Sequence, residues 1–330
     1  MNSETKNKPK ILFQRNFPFE YLEKYADDYE LTLPTEENGR FTYEEIIEMI
    51  PEYDAYLNII VPVDKNMIDI AKNLKVIGCY GVGYDAVDWK YATEVGIPII
   101  HTPQAVMDPT AEMAIALMMD VMRGVSRYDR EIRSGSWNAP LFPKVNKGLN
   151  GSTLGIVGFG RIGKAVSVKA RGLGMNVVYF NRHRASEEVE KEYGVTYMPF
   201  EELIATCDCV SLNAPYFQEN HHLFNAETFA KMKPSAYFVN TSRGKLVDEE
   251  AMCQALKDGV IAGAGLDVFE SEPHPFPGLL DLENVVLTPH AGTLTRQGRI
   301  NTLHEAMDGL IGVINGERPV NTVNPSVYDK

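Results

Sequence analysis

Short apolar runs alternate along nearly the whole chain with polar-faced stretches at helical spacing, the pattern of a parallel sheet covered by helices on both faces. In the first hundred residues the runs at 10–14, 29–33, 55–60, 75–80 and 97–100 read as strands. Between them Thr42-Tyr-Glu-Glu45 is a capping box, opening a short helix that Pro51 ends. Strands separated by helices imply a doubly wound sheet, so a complete α/β unit occupies the first third of the chain.

A strong helix is expected from Asp108, with Asp108 as N-cap and Pro109 at the first helical position. Its body, 111–122, is apolar on nearly every side, which implies burial between domains or subunits. Met113, Met118, Met119 and Met122 read as core within it. A polar connection at 135–151 leads to a strand at 154–157, a helix after Gly163, and further strands at 176–180, 209–212, 236–240, 262–267 and 285–287. A capped helix at 248–258 is closed by Gly259, and 295–314 reads as one last helix. No internal repeat or low-complexity segment interrupts the alternation.

A chain of 330 residues, 44% of them hydrophobic, suffices for two domains with real cores. The net charge of −13 disfavours nucleic acid and anionic membrane as partners, so any phosphorylated ligand must be held by local positive groups. No window reaches the length of a membrane-spanning helix, and the polar start at 1–10 has no apolar signal region, so the expected location is the cytoplasm. The cysteines at 79, 207, 209 and 253 form no CxxC pair and no metal-like set with histidines. They read as reduced thiols, and no metal site is expected.

The chemistry begins at Gly158-Phe-Gly160-Arg161-Ile162-Gly163, a G-x-G-x-x-G between a strand and a helix. The first glycine permits the tight turn, the second lets backbone approach a pyrophosphate, and the third lets helix and strand pack closely. The helix start offers unpaired N–H groups and a positive dipole end to that anion. Asn181, eighteen residues past Gly163, ends the next strand, where such folds meet the adenosine ribose. NAD-specific folds usually carry an acid there, but here the run is Asn181-Arg182-His183-Arg184. An aspartate would repel a 2′-phosphate, whereas Asn181 with Arg182 and Arg184 would bind it, each charge-assisted contact contributing about 1.5–3 kcal/mol. NADP(H) is therefore expected over NAD(H).

Three later segments each place polar groups just past a strand: Val239-Asn-Thr241-Ser242-Arg243-Gly, Gly265-Leu-Asp267-Val-Phe-Glu-Ser-Glu272-Pro, and Leu287-Thr-Pro-His290-Ala-Gly. Ligands of an open parallel sheet bind beyond the carboxyl ends of its strands, so these segments should converge on one cleft. This ordered set, over nearly the whole chain, resembles the D-isomer-specific 2-hydroxyacid dehydrogenases. The resemblance implies Arg243, Glu272 and His290 as the catalytic trio. It also implies two doubly wound parallel-sheet domains, a Rossmann cofactor domain at 103–294 inserted into a flavodoxin-like substrate domain formed by 1–102 and 295–330. Cofactor contacts are then expected at Gly158, Gly160, Arg161, Ile162, Gly163, Asn181, Arg182, Arg184, Asn213, Ala214, Pro215, Thr241, Ser242, Arg243, Asp267 and His290. The turn Tyr80-Gly81-Val82-Gly83-Tyr84 is similar to the family's carboxylate cradle, with the N–H groups of Val82 and Gly83, beside Arg243 and His290, holding the substrate. A homodimer is the family's implication for assembly.

The residue types suit that reaction independently. Reducing a 2-oxo acid requires a hydride at the carbonyl carbon and a proton at its oxygen, and an imidazolium delivers the proton near neutral pH. Glu272 would favour the charged form of His290 and orient it. Arg243 can fork onto the carboxylate and carbonyl oxygens. Glyoxylate or hydroxypyruvate, giving the R-hydroxy acid, is the favoured substrate. 3-Phosphoglycerate is disfavoured because the loop Ile59-Ile60-Val61-Pro62 lacks arginine, and formate because formate-oxidising relatives carry glutamine where Glu272 stands. Keto-sugar acids and branched-chain oxo acids stay open, since Val106 replaces an asparagine common in the family. A dinucleotide-sensing scaffold like the family's corepressor branch, and an α/β protein without ligand, are the readings from other classes.

Overall fold

Contacts in the computed structural model, which describes residues 8–37, 39–137 and 146–329, divide the chain into two units: 1–106 with 295–330, and 107–294. In the first unit the strands β1 (Lys10–Phe13), β2 (Glu30–Thr32), β3 (Ala55–Asn58), β4 (Val76–Cys79) and β5 (Ile99–Ile100) form one parallel sheet in the order β2-β1-β3-β4-β5. That is the flavodoxin-like winding. Every residue of β3, β4 and β5 is buried, as continuous apolar strands covered on both faces must be. The covering helices are α1 (Glu23–Ala26), α2 (Tyr43–Met49), α3 (Lys65–Ile70) and α4 (Trp89–Glu94), joined by the final helix, Arg296–Ile314. That helix buries Leu303, Ala306, Met307 and Leu310 among Leu57, Val76 and Ile100 of the sheet.

The capping box at α2 forms as its sequence dictates: Thr42 Oγ1 accepts from the Glu45 N–H at 3.3 Å, and Glu45 Oε2 accepts from the Thr42 N–H at 2.8 Å. Pro51, with no N–H to give, sits in a 3₁₀ turn, Ile50–Glu52, that succeeds the helix.

The second unit runs α5 (Met107–Arg123), α6 (Val125–Arg133), β6 (Thr153–Val157), α7 (Arg161–Gly172), β7 (Asn176–Phe180), α8 (Glu187–Tyr193), β8 (Thr196–Tyr197), α9 (Phe200–Thr206), β9 (Cys209–Leu212), α10 (Ala226–Lys231), β10 (Tyr237–Asn240), α11 (Glu249–Lys257), β11 (Gly263–Leu266) and β12 (Val285–Leu287). The final helix is thus α12. All seven strands are parallel, in the order β12-β11-β10-β9-β6-β7-β8, the dinucleotide-binding winding with one added strand. Pairing registers put Phe180, Val157, Leu212, Asn240, Leu266 and Leu287 in one row across the sheet. Whatever follows each of these strands therefore emerges along a single edge.

Two expectations for the long helix are corrected. α5 begins at Met107, so Asp108 lies in its first turn and not at the cap; its carboxylate instead meets Lys169 Nζ at 2.9 Å. Nor is 111–122 buried all round. Ala111, Ala114, Leu117, Met118, Val121 and Met122 are buried in the core shared with β6 and α7, while Glu112 and Met119 are exposed. The apolar surface of α5 is used inside its own unit. Gly124, at φ 67°, interrupts the helical run, and α6 follows with no buried residue, which explains why no apolar stripe announces it. The expected connection at 135–151 lies partly outside the described residues.

At the opposite edge of this sheet Asp208 gathers three donors: Lys147 Nζ at 2.8 Å, Lys233 Nζ at 2.6 Å and the Thr153 N–H at 2.9 Å. Burial works against its charge, but the two ammonium groups and the amide outweigh it and hold the carboxyl at about 2. A depressed native pKa contributes stability above the ordinary aspartate range that is lost as pH falls through about 4 towards about 2. Asp208→Asn should therefore lower the melting temperature at about pH 7, and the gap from wild type should narrow by about pH 3 in calorimetric melts.

Candidate active site

The loop between β6 and α7 shows why glycine recurs in it. Gly158 has φ +98°, and a side chain there would stand 2.6 Å from the Ala214 nitrogen. At Gly163 a side chain would collide with the Gly158 carbonyl oxygen, so this glycine lets α7 close onto the turn. Gly160 is different: no described atom lies within 4 Å of where its Cβ would be. The first helical bond runs from the Lys164 N–H to Gly160 O at 2.9 Å. The N–H groups of Arg161, Ile162 and Gly163 therefore sit at the positive end of α7 beside that open face, the arrangement that accepts a phosphate. Arg161 is exposed, and Ile162 packs on the core beneath the helix.

Neighbouring residues extend the same edge. Asn181 Oδ1 reaches the Phe159 N–H at 3.4 Å, tying the end of β7 to the glycine loop. The Arg182 guanidinium lies over the Phe217 ring, 5.3 Å from its centroid. Arg184 is placed otherwise: Nε and Nη2 each donate to Glu190 at 2.8 Å, and Glu190 also accepts from Tyr179 Oη. Beyond β9, the Asn213 side chain donates to Ser211 O and Oγ at 3.1 and 2.9 Å, and Ala214 and Pro215 follow. Asn213 Oδ1 and Thr241 Oγ1 are buried and have no hydrogen-bond partner among the described residues. Buried orphans of this kind are costly unless a ligand satisfies them. Together with the open face at Gly160, they fit an elongated, phosphate-bearing dinucleotide at the reversal of strand order between β6 and β9.

Beyond β10, buried Asn240 shapes the turn that launches Arg243. Its Oδ1 accepts from the Ser242 N–H and Oγ at 3.0 and 2.9 Å, and its Nδ2 donates to Arg243 O at 3.0 Å. Nothing in the apolar pattern singles out this residue, although an asparagine closing a strand is the signal for such a turn. Arg243 is half-buried, with Nη1 donating to Ser242 O at 2.7 Å.

Asp267, past β11, is only 1% exposed, and the loop after β12 is folded around it. Its Oδ1 accepts from Thr288 Oγ1 at 2.6 Å and the Ala291 N–H at 2.7 Å, and its Oδ2 accepts from the Gly292 N–H at 2.8 Å. Burial raises its carboxyl above the ordinary range despite these bonds and the nearby His290. The His290 N–H donates to Asp267 O at 2.8 Å, so one residue sets the position of the imidazole's backbone.

His290 itself has φ +53°, in the left-handed region, and its half-exposed ring places Nδ1 2.8 Å from Glu272 Oε2. Glu272 Oε1 accepts from the Phe269 N–H at 3.1 Å. Burial opposes the Glu272 charge, but His290, the Phe269 amide and Arg243 outweigh it and keep the carboxyl below the usual glutamate range. A carboxylate on Nδ1 leaves Nε2 as the nitrogen able to exchange a proton with a ligand. Arg243, Glu272 and His290 thus share the edge of one sheet, with the guanidinium close enough to act on the glutamate electrostatically.

In the other unit, Val82 and Gly83 follow β4 through Gly81, whose φ is +142°. Neither the Val82 nor the Gly83 N–H donates to another described residue. Val106 is buried, and the N–H groups of Gln104 and Ala105 before it donate to the Glu305 carboxylate of α12 at 3.2 and 2.7 Å.

Residues 115–292 match the family described as D-isomer specific 2-hydroxyacid dehydrogenase, NAD binding domain. The chain is 42% identical to a glyoxylate reductase of Korarchaeum cryptofilum over 324 residues, covering 97% of each. A glyoxylate reductase crystal structure from Paecilomyes thermophila superposes with a TM-score of 0.86 at 33% identity, covering 96% of this chain and 98% of that one. An NADPH-dependent glyoxylate/hydroxypyruvate reductase from Sinorhizobium meliloti, solved with NADP and malonate, gives 0.83 at 27% identity, covering 97% and 98%.

Proposed function

Because the chain belongs to the D-isomer-specific 2-hydroxyacid dehydrogenases, and so is an NAD(P)-dependent oxidoreductase, we propose that it reduces glyoxylate to the achiral glycolate, or hydroxypyruvate to the R-2-hydroxy acid, with Arg243, Glu272 and His290 as catalytic residues. The observation that carries this reading is the 2.8 Å contact between His290 and Glu272 on the sheet edge that also bears Arg243. The glyoxylate reductases among its relatives favour small oxo acids over 3-phosphoglycerate, keto-sugar or branched-chain substrates, and favour turnover over a sensing scaffold.

Arg243 grips the substrate carboxylate and draws electron density onto the carbonyl oxygen. His290 Nε2 gives that oxygen its proton, and Glu272, on Nδ1, orients the ring. The nicotinamide, when bound, supplies the hydride. Its pyrophosphate would be held by Gly158, Gly160, Arg161, Ile162 and Gly163. Asn213, Ala214, Pro215, Thr241, Ser242 and Asp267 would line the way to the reacting end. In this reading 103–294 is the cofactor domain, and 1–102 with 295–330 is the substrate domain, where the Val82 and Gly83 amides receive the acid group.

NADP(H) is preferred over NAD(H). Asn181 offers no negative charge to a 2′-phosphate, and Arg182 supplies a positive one, while Arg184 is engaged by Glu190 and supports the loop. A panel of 2-oxo acids assayed with both cofactors tests the function and the preference together. Arg182→Asp should cut the NADPH/NADH ratio of kcat/KM by about ten- to hundredfold, the equivalent of one charge-assisted contact. Equal wild-type kcat/KM with the two cofactors would refute the preference. Absence of turnover on every acid would refute the reductase.

A cytoplasmic homodimer completes the proposal. The four cysteines are free buried thiols, which suits a reducing compartment. Val125 and Ile132 of α6 and Trp137 after it are exposed by 59%, 49% and 84%, which suits a subunit contact. Among the described residues no helix is long and apolar enough to cross a membrane.

A further inference from the structure

The loop that carries Glu272 also carries Glu270, and both glutamates hold a histidine. Among the described residues the two non-glycine positions with positive φ are His222, at 51°, and His290, at 53°. His290 faces Glu272, and His222 Nε2 lies 2.8 Å from Glu270 Oε1. The second pair has no part in the reaction derived above, and it differs in having company. His221 stacks on His222 with ring centroids 3.8 Å apart. One donor atom from each of His221, His222 and Glu270 lies within 4.8 Å of the other two. Asp248 Oδ2 is 4.0 Å from His222 Nδ1.

Two imidazoles and a carboxylate are the donor set of zinc and its borderline neighbours, which bond such atoms at about 2.0–2.2 Å and so bring them to roughly 3.0–3.5 Å of one another. His222 Nε2 and Glu270 Oε1, 2.8 Å apart, would have to open by only a few tenths of an ångström to admit the ion. His221 is exposed, so its ring can turn to complete the set. The support is rigid on the glutamate side: the Glu270 N–H donates to Glu249 Oε1 at 2.6 Å and the Phe276 N–H to Glu249 Oε2 at 2.9 Å, and Glu249 is 5% exposed. A buried carboxylate that fixes the backbone of a ligand does the work of an outer coordination shell. All four cysteines are buried, so no exposed thiolate competes for the ion.

We propose that His221, His222 and Glu270 bind one divalent cation of the zinc class. The site joins the loop after β9 to the loop after β11. Nothing in linear spacing announces it, because Glu270 stands 48 residues beyond His222.

The test uses the full chain, stripped with a chelator and titrated with Zn²⁺ alone by calorimetry, with Co²⁺ absorption as a second readout. One equivalent should bind. His221→Ala and Glu270→Gln should each weaken binding by about tenfold or more, since even loss of an outer-shell partner has that effect. His183→Ala, an exposed histidine elsewhere, should leave it unchanged. Glu270→Gln keeps a hydrogen-bonding partner for His222, so a folding defect in one variant leaves the other as a test. Failure to take up a stoichiometric ion, or uptake equal to wild type in both ligand variants, would overturn the proposal.

Discussion

Replacing His290 with asparagine lowers kcat for the best 2-oxo acid by about 10²- to 10⁴-fold, the contribution of a positioned general acid. Asparagine is the informative choice because His290 occupies the left-handed region, at φ +53°, which asparagine tolerates better than alanine. The bond from the residue 290 N–H to Asp267 O is a backbone bond and survives the change. Thermal melts should therefore stay close to wild type while steady-state turnover collapses. Near-wild-type kcat in the variant would remove the imidazole from the chemistry.

Arg243→Lys is expected to cut kcat/KM by about 10²- to 10³-fold, the range for losing a donor aimed at developing charge. Lysine keeps the positive charge but lacks the planar fork that can grip a carboxylate and a carbonyl oxygen together. The turn itself should survive, since Asn240 holds it through the residue 243 carbonyl and through Ser242. Both kcat and KM should worsen, because substrate binding and polarisation use the same side chain. A loss of only about threefold would mean that charge alone suffices, and the bidentate role would fall.

The parts of this protein that could be read from sequence are those where local chemistry and fold coincide. Gly158, Gly160 and Gly163 are demanded by a turn, an open face and a tight helix approach, so their spacing already implies the structure around them. Thr42 and Glu45 bond within one helical turn, and the apolar runs that became β6, β9 and β12 need no distant partner to be recognised. Pairings chosen by the folded geometry left no such trace. Arg182 and Arg184 look alike in sequence, yet Glu190 takes only the second. Asp267 reads as one more polar residue past a strand, but the fold buries it and wraps 288–292 around both of its oxygens. Glu249 passes for an ordinary acid in the first turn of a helix until the loop at 270–276 comes back to it. α6 was invisible for the opposite reason, having no buried face to impose a period.

The level row of strand ends has a metric consequence. Four strand spacings separate β6, which launches the glycine loop, from β12, which launches His290. At about 4.8 Å per step, the ladder of main-chain bonds puts them roughly 19 Å apart. That distance is a property of the backbone mesh, insensitive to which side chains decorate α9, α10 or α11. Those helices can drift in composition while the gauge between the anion-holding end and the proton-donating end stays the same.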